Sequence, residues 1–153
     1  MKISASYWIF DGGLDGSLAI SSAMEQASRL GFDAIELGIA SQGVLTHQTT
    51  QAECEAIRSE AQKHELEISG VASGESWTSS PTANEADVRD KILDFTQKAL
   101  QVTQWLGADA YLYVPVQLKC SFCLKLKSFL MMCVISGQAK RFPSLCLQPK
   151  NLE

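Results

Sequence analysis

The cysteines Cys120 and Cys123 have the most recognisable spacing in the sequence, because they stand as a C-x-x-C pair. Such a pair holds zinc when a second pair of ligands follows, and does thiol–disulfide chemistry when it opens a helix after a strand. The next cysteines, Cys133 and Cys146, lie 10 and 23 residues beyond Cys123, which is not the spacing of a second ligand pair. We therefore predict neither a zinc site nor a redox centre here.

The two histidines and Arg89 are the other candidates for metal or phosphate binding. His64 lies near the predicted end of a helix, where the helix dipole and solvent favour it, and His47 stands alone on a loop. Arg89 suits a phosphate, but Glu85 lies one turn earlier on the same predicted helix and is the simpler partner. The sequence therefore offers no catalytic residue and no set of metal ligands.

The elements that must position any site begin with four short runs of β-branched, aromatic and other apolar residues. Each run predicts a strand, and turn signals such as Asp11-Gly12-Gly13 and Ser73-Gly74 end the first and the third. The predicted strands are residues 2–10, 33–39, 66–72 and 109–116.

Helical patterns fill the intervals between these strands. Residues 17–30 carry the first, and Thr50 with Glu53 forms a capping box that opens the second. Asn84 is the predicted cap of the third helix, and Asp87 favours the positive end of its dipole. The third helix has the strongest apolar stripe, and core packing explains it; the stripe comprises Val88, Ile92, Phe95, Ala99, Val102 and Leu106.

An internal similarity supports repeated β/α units. Residues 30–35 match residues 106–111, 76 positions later, and each copy reads as a helix end, a Gly turn and a strand start. Alternating strands and helices predict a parallel sheet with helices outside it. This alternation alone leaves open a closed barrel or an open doubly wound sheet. Gly12, Gly13 and Gly16 do not form the G-x-G-x-x-G loop of a dinucleotide site.

Charge divides the chain near Val116. Residues 1–116 hold 7 Lys or Arg against 16 Asp or Glu, a net charge of −9, whereas residues 117–153 hold 6 against 1, a net charge of +5. We therefore predict a body of residues 1–116 and an atypical basic, cysteine-rich tail of residues 117–153, which a frameshift, a retained intron or an alternative exon would explain. No apolar run reaches the roughly 18 residues that cross a bilayer, and no signal peptide is evident, so we expect a cytoplasmic protein.

The body resembles the xylose-isomerase-like TIM barrels over residues 1 to 116. Residues 31–37, Gly-Phe-Asp-Ala-Ile-Glu-Leu, are similar to the second-strand segment of that superfamily. Residues 71–77, 88–91, 105–109 and 114–115 are similar in order and spacing to the third and fourth units of its sugar isomerase and epimerase branch. The resemblance implies a partial (β/α)₈ TIM barrel of about four parallel β/α units.

The same resemblance implies the chemistry. Family members hold a divalent metal (Mn²⁺, Mg²⁺, Co²⁺ or Zn²⁺) with Glu, Asp, His and Glu from later strands, and carboxylates beside it move a proton between neighbouring carbons. After Val116 this sequence has one acid, Glu153, and no histidine. We therefore expect an N-terminal half that binds no cofactor and is inactive alone.

Three residues are the predicted substrate contacts. Glu36 lies towards the end of the second strand, on the catalytic face of a barrel. Trp8, with its neighbour Tyr7, ends the first strand, where family members often place aromatic residues against the sugar. Trp77 lies on the loop after the third strand and suits the apolar wall of a pocket. The expected ligand is a small sugar or sugar phosphate.

Two other functions stay open at this point. A half barrel leaves two open strand edges, so the chain is alternatively a non-catalytic β/α interaction module that self-associates through them. A DNA-repair relative of the endonuclease IV type is the third possibility. The net charge of −9 on the body argues against it, because binding to a duplex depends on neutralising phosphates. We expect no nucleic-acid partner and no membrane contact.

Overall fold

The computed structural model describes residues 1–113 and the backbone of residues 133–136. Strands and helices alternate along the chain, as the sequence predicts. The elements are β1 (Ser4–Ser6), a 3₁₀ turn (Tyr7–Ile9), α1 (Ile20–Arg29), β2 (Ala34–Gly38), α2 (Gln51–Lys63), β3 (Glu67–Ala72), α3 (Glu75–Thr78), α4 (Ala86–Trp105), β4 (Ala110–Tyr113) and β5 (Cys133–Ser136).

The strands form one sheet in the order β1-β2-β3-β4-β5. The first three pairings are parallel, with Ala5 opposite Ile35 and Val71 opposite Tyr111, so the predicted parallel β/α units are confirmed. β5 pairs with β4 antiparallel. β4 is therefore paired on both sides, which differs from the open edge that we expected there. β1 is an edge strand of the described sheet, and self-association through it stays a prediction.

One face of the sheet carries the core. Ile35, Leu37 and Ile39 alternate along β2 and just beyond it, and each is at most 1% exposed. They join apolar side chains of the three longer helices in one buried cluster. The predicted stripe on α4 belongs to this cluster except for Val88, which is half-buried. Helices on this face leave the other face of the strands free to line the inside of a barrel.

The first predicted strand is too long, because the strand ends at Ser6 and residues Tyr7–Ile9 form a 3₁₀ turn. Burial outweighs β-propensity at this point. The Tyr7 side chain is 2% exposed, and its hydroxyl donates a hydrogen bond of 2.5 Å to the Leu18 carbonyl. The chain therefore turns at Tyr7 to bury the ring, and the Phe10 N–H closes the turn on the Tyr7 carbonyl.

Two predicted helix starts are also wrong. α1 begins at Ile20 rather than at Ser17, because the Ser17 and Leu18 N–H groups both donate to the Gly12 carbonyl and form a turn. The N-cap of α4 is Glu85 rather than Asn84, and it makes no side-chain capping bond. Asp87 lies in the first turn of α4 as predicted, and the capping box of Thr50 and Glu53 on α2 is confirmed.

The internal similarity has a structural basis at the helix ends. α1 and α4 both end in a leucine followed by a glycine at positive φ, Gly31 at 82° and Gly107 at 71°. At each end an N–H bonds back five residues, from Phe32 to Ala27 and from Ala108 to Thr103. This closure needs a left-handed residue after the helix, which glycine adopts at little cost. The repeat therefore marks two equivalent αβ turns.

α2 ends in the same way without a glycine. The Leu66 N–H bonds back to Ala61, and the left-handed position is taken by Glu65 at a φ of 57°. A residue with a Cβ is strained in this conformation.

No helix among residues 1–113 is long and apolar enough to span a membrane.

Replacing this strained residue tests the turn. Glu65→Gly is expected to raise the free energy of unfolding by about 1 kcal/mol, because glycine removes the Cβ clash and its extra chain entropy offsets part of the gain. Urea unfolding followed by circular dichroism measures the change. Glu65→Ala is the matched control, since it removes the carboxylate and keeps the Cβ. A gain in Glu65→Ala equal to that in Glu65→Gly would show that charge, not backbone strain, governs this position.

Candidate functional site

A cavity of about 380 Å³ lies at the carboxyl ends of β1, β2 and β3. Three connections build it: the turn after β1, the loop between β2 and α2, and the loop between β3 and α3. The residues that line it are Tyr7, Trp8, Gly13, Leu14, Asp15, Gly16, Gly38, Ile39, Ala40, Gln42, Val44, Leu45, Gly74, Glu75, Trp77 and Thr78. This is the edge of a parallel α/β sheet at which ligands bind.

The predicted residues Trp8 and Trp77 meet in this cavity. Their ring centroids lie 5.7 Å apart with the planes tilted by 48°. Trp77 is 43% exposed although it is a large apolar side chain, and Trp8 is half-buried. An exposed indole held against a second indole forms a rigid apolar wall, which is typical of a small-molecule pocket.

Two glycines make room for the pair. A Cβ on Gly38 would lie 2.9 Å from Nε1 of Trp8, and a Cβ on Gly74 would lie 3.1 Å from Cε3 of Trp77. Distances this short are tighter than ordinary van der Waals contact, so the absence of a side chain is needed at both positions. Glycine at these two positions therefore leaves the space that the indoles of Trp8 and Trp77 occupy.

Tyr7 lines the same cavity but is anchored elsewhere. Its hydroxyl is committed to the Leu18 carbonyl, and burial, together with the nearby charge of Asp15, raises the pKa of the phenol. Tyr7 therefore lines the cavity with its hydroxyl already engaged and keeps its proton at neutral pH.

Glu36 lies outside the cavity lining, on the inner face of the sheet. Its Oε1 accepts a hydrogen bond of 3.0 Å from Oγ of Ser6, and Gly38, two residues further along the same face, reaches the cavity. The Oγ atoms of Ser4 and Ser69 lie 2.7 Å apart on the strands on either side of β2. This inner face is small and polar, whereas bulky branched residues usually dominate the inside of such barrels.

Glu75 and Asp15 are the charged side chains of the lining, and the sequence analysis did not single them out. Oε1 of Glu75 accepts a hydrogen bond of 2.7 Å from the Ser41 N–H, which ties α3 to the loop after β2. Oδ1 of Asp15 accepts one of 3.0 Å from the Ser17 N–H, and hydrogen bonds to Ser17 lower the pKa of Asp15. The position of Glu75 directly after a predicted strand end was the signal available in the sequence.

The buried Ser73 accepts a hydrogen bond from the backbone of Glu75. The Glu75 N–H donates to Oγ of Ser73 at 3.3 Å, and the buried Ser73 lies near the phenol of Tyr111 on β4. Burial raises the pKa of the Tyr111 phenol, so this group stays protonated. The wall that carries Glu75 is therefore fixed to the sheet.

The remaining polar candidates lie outside the cavity lining. The His47 ring packs on Phe95 with centroids 5.1 Å apart, and its buried Nδ1 has no hydrogen-bond partner among the described residues. His64 caps the end of α2 and lies 3.4 Å from a carboxylate oxygen of Glu60. Arg89 donates to the carbonyls of Ala83 and Asn84 at 2.6 and 2.8 Å, rather than to the Glu85 side chain as we expected.

A metal site does not fit the described part of the chain. Within residues 1–113, no three His, Cys, Asp or Glu side chains come together in a way that would hold a cation. Cys54 is buried, and burial raises the pKa of its thiol. The predictions on Cys120, Cys123, Cys146 and Glu153, and on the tail as a whole, fall outside the described residues, as does the side chain of Cys133.

Adding a methyl group behind each indole tests the aromatic wall. Gly38→Ala and Gly74→Ala are each expected to cost about 1–3 kcal/mol of stability and to weaken the near-ultraviolet circular dichroism of the tryptophan pair, because the Cβ displaces an indole. The signal is read in a Trp105→Phe background, which leaves Trp8 and Trp77 as the two tryptophans of the chain.

The matched control is Gly70→Ala, whose Cβ meets the Ala110 carbonyl at 3.2 Å and no indole. It should destabilise the chain without changing the indole spectrum. An unchanged indole spectrum in Gly38→Ala and Gly74→Ala would contradict the described packing.

Comparison with known proteins places this geometry in a family. A family model described as "Xylose isomerase-like TIM barrel" matches residues 24–122, more than half of the chain. No curated protein matches the chain. Among solved structures, D-psicose 3-epimerase in the presence of D-fructose is 23% identical with a TM-score of 0.57, over 72% of this chain and 36% of that one.

A second structure, D-psicose 3-epimerase with D-tagatose from Clostridium cellulolyticum H10, is 16% identical with a TM-score of 0.56, over 79% of this chain and 41% of that one. At these identities the likeness shows the fold, and the chain spans about two fifths of the length of either epimerase. The four parallel strands therefore form part of a TIM barrel, and the chain belongs to the xylose isomerase-like TIM barrel family.

Proposed function

We propose that this chain is a sugar isomerase/epimerase-like protein whose cavity binds a monosaccharide. The observation that carries the proposal is the Trp8–Trp77 pair. The two indoles form an apolar wall of the cavity at the carboxyl ends of the strands. Family membership supports it, and so does the likeness in fold to the two epimerase structures with D-fructose and D-tagatose.

The cavity has the two properties that a sugar requires. A sugar ring presents C–H faces, which pack on indoles, and hydroxyl groups, which need hydrogen-bond partners. The tilted tryptophan pair supplies the apolar surface, and Glu75, two residues before Trp77 on α3, supplies a hydrogen-bond acceptor. The volume of about 380 Å³ lies within the range of about 300–1,000 Å³ for small-molecule sites.

Glu36 stays a proposed substrate contact of lower rank than the tryptophans. It lies on the inner face of β2, below Gly38, and a sugar in the cavity would reach it only by extending into the barrel. Oε1 is occupied by Ser6, whereas Oε2 has no partner among the described residues and is free to accept a hydroxyl.

Catalysis in this account would need groups that residues 1–113 do not bring together. The sugar isomerase and epimerase branch that the sequence resembles moves a proton beside a carbonyl with the help of a divalent metal, which stabilises the charge that forms on oxygen. The described side chains offer no set of three metal ligands, so no proton-transfer step is assigned to them. We propose that the chain of 153 residues binds sugar without turning it over, as a partial barrel would.

Binding is tested by calorimetric titration with D-fructose and D-tagatose. Trp8→Ala and Trp77→Ala are each expected to weaken the affinity at least about tenfold, because each removes one half of the apolar wall. Trp105→Phe is the control, since Trp105 ends α4 and does not line the cavity. Equal affinity in all four proteins, or no affinity in the unmodified chain, would contradict the proposed site.

Turnover is tested separately. The 153-residue chain, incubated with D-fructose and Mn²⁺ or Co²⁺, is expected to yield no new ketose by ¹³C nuclear magnetic resonance, because its described residues hold no metal set. A full-length epimerase under the same conditions is the positive control. Metal-dependent epimerisation that Trp8→Ala abolishes would overturn the proposal that the chain alone is inactive.

A further inference from the structure

We propose that Glu75 and Asp15 make the cavity selective for uncharged sugars and exclude phosphorylated ones. The inference rests on the proposed sugar-binding function and narrows its substrate class. Both charged side chains of the described lining are acids, and no Lys or Arg lines the cavity within residues 1–113. A phosphate monoester in this cavity would face two negative charges and no described cation.

Glu75 is held in place by four hydrogen bonds. Its N–H donates to Ser73 Oγ at 3.3 Å, and its carbonyl accepts from the Ser79 N–H at 3.0 Å and from the Thr78 hydroxyl at 3.1 Å. Its Oε1 accepts from the Ser41 N–H at 2.7 Å. The carboxylate cannot swing away from an incoming anion without breaking the bond that joins α3 to the loop after β2.

The second carboxylate oxygen of Glu75 favours the binding of an uncharged sugar. Oε2 has no partner among the described residues, and the side chain lines the cavity beside Trp77. A carboxylate oxygen accepts a hydrogen bond from a hydroxyl strongly, because its charge assists the bond. A neutral sugar packed on the indoles therefore gains a hydrogen bond where a phosphate ester meets repulsion.

Asp15 is the second negative charge of the described lining. It lies in the segment after β1, and its side-chain and backbone hydrogen bonds with Ser17 lower the pKa of the carboxyl and favour the ionised form. Burial raises the pKa of Tyr7, a residue of the cavity lining, and the charge of Asp15 raises it further.

The test compares D-fructose with D-fructose 6-phosphate by calorimetric titration of the 153-residue chain. The phosphate ester is expected to bind at least about tenfold more weakly than D-fructose, and the difference should shrink at high ionic strength because salt screens the repulsion. Glu75→Gln and Asp15→Asn are each expected to reduce the difference to about threefold, since both amides keep an oxygen for the existing N–H bond and lose the charge.

Glu25→Gln is the matched control, because Glu25 is an exposed glutamate on α1 that lies outside the cavity lining. It should leave the ratio of the two affinities unchanged. The selectivity proposal is overturned, with the sugar site intact, if D-fructose binds in a Trp8-dependent manner and the phosphate ester binds equally well. It is also overturned if Glu75→Gln leaves the ratio unchanged. Binding of neither ligand overturns the proposed function itself.

Discussion

Parallel pairing of β1 to β4 is the constraint on which the site depends. Each parallel pair is joined by a connection that returns over one face of the sheet, so the helices collect on that face and the carboxyl ends of the strands collect at one edge. Burial of Ile35, Leu37 and Ile39 against those helices fixes the phase of β2. A slip of one residue would exchange them with Glu36 and Gly38 and would destroy both the core and the seat of Trp8.

The cavity then owes its shape to bonds between loops rather than to the loops alone. The Val44 N–H donates to the Gly16 carbonyl at 3.1 Å, which joins the connections after β1 and β2. The bond from Ser41 to Glu75 joins the connections after β2 and β3, and the contact of Trp8 with Trp77 joins the first to the third. Three loops tied pairwise lose little freedom when a ligand binds, which favours affinity in a small pocket.

Local features of this fold were predictable, because their causes lie within a few residues of one another. The capping box at Thr50, the stripe on α4 and the equivalent turns at Gly31 and Gly107 were all predicted from spacing, and the structure confirms them except at Val88. Strand-end position likewise pointed to the two tryptophans that the structure brings together.

Features that depend on distant partners were missed. The chain turns at Tyr7 because the Tyr7 hydroxyl donates a hydrogen bond to the Leu18 carbonyl. The pattern of residues 2–10 gives no sign of this distant partner. Glu75 follows a predicted strand end, but the orientation of its carboxylate depends on Ser41, which lies on another loop. The register shift after Ile35 in the pairing of β2 with β3 likewise has no signal in the apolar pattern of either strand.

The most direct measurement is a ¹H–¹⁵N spectrum of the three indole N–H groups during titration with D-fructose. The chain has three tryptophans, of which Trp8 and Trp77 line the cavity and Trp105 ends α4. If the sugar binds between the two indoles, the cross-peaks of Trp8 and Trp77 move together to saturation while that of Trp105 stays fixed. Movement of the Trp105 peak alone, or of no indole peak at concentrations where the sugar binds, would contradict a sugar site at the carboxyl ends of β1 to β3.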